Sequence, residues 1–120
     1  MKMHEDVVKF HRKYGLKCPP KPTPLSREEL INEIANIERK ITELGKSSNF
    51  VVQVASLVDL IYYAMGIAVD MGLPWGKLWD DVQRSNMLKA RDGVGAIYKP
   101  PSFQEPYTEY FLKKVGYEKP

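Results

Sequence analysis

From Phe50 to Met71 the chain is apolar on almost every side of a helix, and no other stretch limits the fold so sharply. Val54, Leu57, Ile61, Ala64 and Ala68 recur at the spacing of one helical face. Most residues between them are apolar as well, so the helix is expected to be buried nearly all round. Gly72 closes it, and Pro74 suits the start of a further helix from about Trp75 to Ala90. A chain of 120 residues has room for one core, and little in it can cover such a helix. A second copy of the chain is therefore an expected partner, in a dimer or tetramer whose interface includes Leu57 to Ala68.

The rest of the chain reads as helices around that centre. His4 to Tyr14 forms a short helix ended by Gly15. Lys17 to Pro24 (KCPPKPTP) cannot be helical, because its prolines lack an amide donor and restrict the residue before them. It predicts an extended strap, over about residues 17–25. Ser26 and Glu29 have the spacing of a capping box. Leu30, Ile34, Ile37, Ile41 and Leu44 then lie on one stripe, up to Gly45. Arg91 to Pro101 is turn-rich, and Pro106 to Val115 predicts a last short helix capped by Gly116. The β signals are too short for a sheet. The fold class is all-α: a single domain over residues 1–120, a bundle of four to five helices that is oligomeric.

Composition narrows the function. The chain is 43% hydrophobic and 28% charged, ordinary for a folded globular protein. Its net charge of +3 comes from Lys and Arg spread among acids. A concentrated basic stripe is missing, so a small anionic ligand is expected and nucleic acid is not. Cys18 is the only cysteine, which excludes an internal disulfide and a Cys-rich zinc site. No run is read as a transmembrane helix, and the N-terminus lacks the apolar core of a secretion signal. The expected setting is the cytoplasm, without a membrane partner.

Several blocks occur in an order that carries a resemblance. Phe10-His11-Arg12-Lys13-Tyr14-Gly15 precedes the proline strap; Leu30-Ile31-Asn32-Glu33 opens the second helix; Asp59-Leu60-Ile61-Tyr62 is followed by Gly66. Asp81-Val82-Gln83-Arg84-Ser85-Asn86-Met87-Leu88-Lys89 is followed by a loop with Tyr98, Lys99 and Pro100. Together these resemble the MazG-like, phosphoribosyl-ATP pyrophosphohydrolase-like proteins of phages and bacteria. The resemblance implies an oligomeric helical fold. Active relatives split the bond between the α- and β-phosphates of a nucleotide with magnesium, held by Glu-Glu-x-x-Glu on one helix and Glu-x-x-Asp on the next. Carboxylates at those spacings converge on a hard cation, which neutralises phosphate charge and activates water.

This sequence departs from that pattern. Aligned on Leu30-Ile31, the first motif reads Asn32-Glu33-Ile34-Ala35-Asn36; aligned on Asp59, the second reads Ser56-Leu57-Val58-Asp59. The residual metal ligands implied are Glu33 and Asp59. Glu38 and Asp70 lack the motif's spacing. The nucleotide-binding set implied by the resemblance is His11, Lys13, Arg84, Ser85, Asn86, Lys89, Tyr98 and Lys99, with Ser85 and Lys89 four apart on one helix. The expected function is a catalytically degenerate binder of a nucleotide or nucleotide-derived signal. Similarity to phage relatives suggests sequestration of a host antiviral signal. One alternative is an active magnesium-dependent nucleoside triphosphate pyrophosphohydrolase, with magnesium its cofactor; another is a helical interaction module without ligand.

Overall fold

The computed structural model describes residues 1–120 and is mainly helical. In chain order it comprises α1 (Lys2–Lys13), α2 (Arg27–Gly45), α3 (Phe50–Asp70), α4 (Trp75–Asn86), β1 (Ala90–Arg91), β2 (Ile97–Tyr98) and α5 (Thr108–Lys114). Contacts divide the chain into two units, Met1–Leu73 and Pro74–Pro120.

In the first unit α3 packs against both α1 and α2. Val7 and His11, four apart on α1, are buried, as are Met65, Ala68 and Val69 on α3. The strap meets the end of α3: Thr23 N–H donates to the Met71 carbonyl at 2.8 Å. The capping box at α2 forms as expected, with Glu29 N–H donating to Ser26 Oγ and Ser26 N–H donating to Glu29 Oε1. The bond from Ser26 N–H, followed by those from the Lys17 and Ser26 side chains, pulls the Glu29 carboxyl down to about 2. Asn49, which caps α3, accepts from Val52 N–H at 3.0 Å.

α3 departs from expectation in one respect. Within one chain it is not buried all round: Val51 is 76% exposed and Val58 60%. An 18-residue stretch of this 21-residue helix has a mean hydropathy of 1.7, so by length and composition alone the run is long and apolar enough to cross a membrane, contrary to the sequence reading.

In the second unit α4 stops at Asn86, short of the expected Ala90. Ala90 and Arg91 pair instead with Tyr98 and Ile97 in an antiparallel hairpin. The turn is organised by Asp92, whose Oδ1 accepts from Val94 and Ala96 N–H, both at 2.9 Å. That side-chain contact is why a ladder forms despite short β signals. α4 also contacts α5. The buried Asp81 takes part in the link: its carboxylate accepts from Arg84 Nε at 3.1 Å and from Tyr107 N–H at 2.6 Å.

Candidate functional site

The first unit contains a cavity of about 300 Å³ at the meeting of its three helices. Phe10 and His11 come from α1, Glu33 from α2, and Tyr62, Tyr63, Gly66 and Asp70 from α3. Helical spacing explains the α3 contribution: Tyr62, Gly66 and Asp70 are each four apart and share a face.

His11 is the best-fixed polar group there, with 6% exposure. Its Nδ1 lies 2.7 Å from the Lys17 carbonyl. A carbonyl only accepts, so Nδ1 carries hydrogen and Nε2 is the acceptor in the neutral ring. Asp70 Oδ1 lies 3.5 Å from the same Nδ1. Burial, reinforced by the nearby Glu33 charge and opposed by His11, holds the Asp70 carboxyl above its ordinary range. Glu33 accepts from the Tyr63 hydroxyl at 2.8 Å. The Tyr63 phenol is raised too, first by burial and then by that bond. Phe10 meets Tyr62 edge-on, with ring centroids 5.7 Å apart. A Cβ on Gly66 would sit 3.5 Å from His11 Nε2, so a larger residue there would narrow the cavity.

The remaining residues singled out in the sequence are distributed as follows. Asp59 is ion-paired with Lys40, about three helical turns along α3 from Asp70. Glu33 and Asp59 therefore have separate partners, and no three His, Cys, Asp or Glu side chains form a group able to hold a metal ion. Lys13 lies 5.3 Å over the Tyr14 ring, and Tyr98 is exposed on β2. Lys99 pairs with Glu105 at 2.9 Å. Arg84 is committed to Asp81, the Gln104 side chain and the Glu105 carbonyl. Ser85 is 1% exposed and donates to the Gln104 carbonyl at 2.8 Å. Lys89 lies past the helix end, so the expected helical juxtaposition of Ser85 and Lys89 does not form. Asn86 and Lys89 are exposed, and their side chains make no hydrogen bond.

Sequence reasoning missed the roles of Tyr63 and Asp70 in the cavity. The recurrence Tyr62, Gly66, Asp70 was the available signal, since it places a small residue between an aromatic and an acid on one stripe.

The chain is thus an all-α protein with acids and an imidazole around one cavity of its first unit. A family model described as phosphoribosyl-ATP pyrophosphohydrolase matches residues 7–86, and the chain belongs to that family. No curated sequence matches it. The matched stretch includes His11, Glu33, Asp59, Asp70 and Arg84 to Asn86; Lys89, Tyr98 and Lys99 lie beyond it.

Proposed function

We propose that this protein binds a nucleotide or nucleotide-derived ligand and holds it without turnover. One observation carries the reading: each carboxylate at the metal positions is committed internally, Glu33 to the Tyr63 hydroxyl and Asp59 to the Lys40 ammonium. A cation would have to draw Glu33 from the Tyr63 hydroxyl and Asp59 from the Lys40 ammonium before either could ligate it. The cavity of the first unit stays open to a planar ligand. Considered by itself, the second unit has in Lys89 an exposed cation that no carboxylate has claimed. A ligand held and not consumed is sequestered, and a nucleotide signal is the kind of molecule for which sequestration has an effect.

The test is incubation with a panel of nucleotides and magnesium, followed by chromatographic separation of products. Unchanged nucleotide, with a rise in melting temperature on binding, is the expected result. Pyrophosphate release at enzymatic turnover overturns the reading in favour of an active pyrophosphohydrolase. No melting shift with any nucleotide overturns it in favour of a helical interaction module. Lys89→Ala should weaken binding by about ten- to hundredfold, the loss of one charge-assisted hydrogen bond, with the ligand-free melting temperature nearly unchanged.

A further inference from the structure

The polar groups around the first-unit cavity are nearly all acceptors. Ionised Glu33 and Asp70 can only accept. The Tyr63 hydroxyl hydrogen is already given to Glu33, and the Lys17 ammonium is held by Glu29 at 2.9 Å. His11 gives its Nδ1 hydrogen to the Lys17 carbonyl, which leaves Nε2 as an acceptor in the neutral ring.

Two of these acceptors lack a donor. His11 is more than nine-tenths buried, yet its Nε2 makes no hydrogen bond and faces Gly66, a residue with no side chain to meet it. The Asp70 carboxylate accepts no hydrogen bond; His11 Nδ1 lies 3.5 Å away with its hydrogen given to the Lys17 carbonyl, and the Asp70 side chain is 22% exposed. Neither acceptor is sealed from water, so an occupant that displaces that water is favoured when it brings N–H donors in its place. Phosphate oxygens would bring the opposite: more acceptors and charge of the same sign as Glu33 and Asp70. Tyr62 and Phe10 add aromatic surface at the same cavity, which suits a planar ring.

We propose that this cavity receives the nucleobase of the ligand through an amino-bearing edge, with the exocyclic N–H donating to Asp70 and the phosphates lying outside. The inference rests on the nucleotide-binding reading above and adds the part of the ligand that this cavity recognises. Guanine, adenine and cytosine carry such an amino group; hypoxanthine and uracil do not. Asp70 is the discriminating residue, because an ionised carboxylate accepts and never donates.

Calorimetry on the full chain in EDTA, with two matched pairs of monophosphates, tests this. GMP and IMP differ by one amino group; CMP and UMP differ by amino against carbonyl. GMP should bind at least about tenfold tighter than IMP, or CMP than UMP, the loss expected for a hydrogen bond to a charged acceptor. In Asp70→Asn the preference should collapse to less than about threefold, because an amide can turn either its carbonyl or its amino group to the ligand. Equal binding within both pairs overturns the base inference and leaves nucleotide binding standing. A preference that survives intact in Asp70→Asn overturns the assignment to Asp70. If no monophosphate binds and ATP and GTP with magnesium also fail to bind, the nucleotide reading itself falls, and this inference with it.

Discussion

At Gly72 the backbone is left-handed (φ 61°), and a Cβ would sit 2.5 Å from the Lys21 carbonyl oxygen and 2.9 Å from that of Pro19. Both oxygens belong to backbone in the strap, which cannot rotate away as a side chain would. Left-handed strain alone costs about 1–2 kcal/mol for a residue with a Cβ. Gly72→Ala should therefore lose at least about 2 kcal/mol by urea denaturation; an unchanged midpoint would mean the strap does not close on α3. Asp70 makes a prediction about pH. Its folded pKa is raised, chiefly by burial, above an ordinary value of 3.8. A raised acid stabilises the fold below its unfolded pKa and loses that contribution as pH climbs through the folded one. Asp70→Asn should thus gain stability relative to wild type as pH rises from about 4 through that folded value, then hold a constant difference. A gap that is the same at pH 3 and pH 7 would contradict the burial assigned to this carboxyl. His11 and Glu33, singled out through the resemblance, both line the cavity. Asp70 was not legible as a site residue: it lies about three turns along α3 from Asp59, too far to share a ligand with it, and only the packing of α1 against α3 sets it beside His11.

The helices were legible where periodicity and caps agree: Ser26 with Glu29 opens α2, and Gly116 follows α5. The end of α4 was not legible. Between Ser85 and Ala90 there is no Gly or Pro to stop a helix, and the stop comes from bonds to residues far along the chain. Arg84 and Ser85 reach Gln104 and Glu105, and Asp81 holds the Tyr107 amide, just before α5. Read locally, Arg84 and Ser85 looked like donors free for a ligand. Their partners are about twenty residues away, a separation at which sequence spacing carries no signal. Asp81→Ala should show what this network does. It removes the acceptor for the Tyr107 amide and leaves Arg84, about a third exposed, without its carboxylate. Breaking a fully buried pair costs about 3–5 kcal/mol; with one partner reached by water the expected loss is about 2–3 kcal/mol. Hydrogen exchange at the Tyr107 amide should quicken, and Asp81→Asn, which keeps an acceptor oxygen, should restore part of the protection. Unaltered exchange in Asp81→Ala would show that the 104–107 segment is held by other contacts.

At the scale of the molecule the open question is what covers α3. Besides Val51 and Val58, its residues Val54, Leu57 and Ile61 are exposed in the single chain, and so are Ile31, Ile34 and Ile41 on α2. A shallow apolar groove of about 200 Å³ lies beside them, lined by Met3, Val7, Val58, Ile61 and Met65. Apolar surface on this scale seldom stays in water. A lipid bilayer is one cover by length and hydropathy, yet the Asp59–Lys40 ion pair sits in the middle of the helix and ties it to α2, a helix with many charges. Charges at the bilayer centre are costly, so a second copy of the chain is the cover we expect. Val58 is the residue to change. It is 60% exposed, so Val58→Lys costs the isolated chain little, whereas a lysine inside an interface between copies would have to bury its charge. Light scattering at micromolar concentration should give wild type a mass at least twice the 13.8 kDa of one chain, and Val58→Lys the mass of one chain. Circular dichroism should show the variant still helical. A wild type that is already a monomer would overturn this account, and its partitioning into lipid vesicles in the same experiment would point to the bilayer instead.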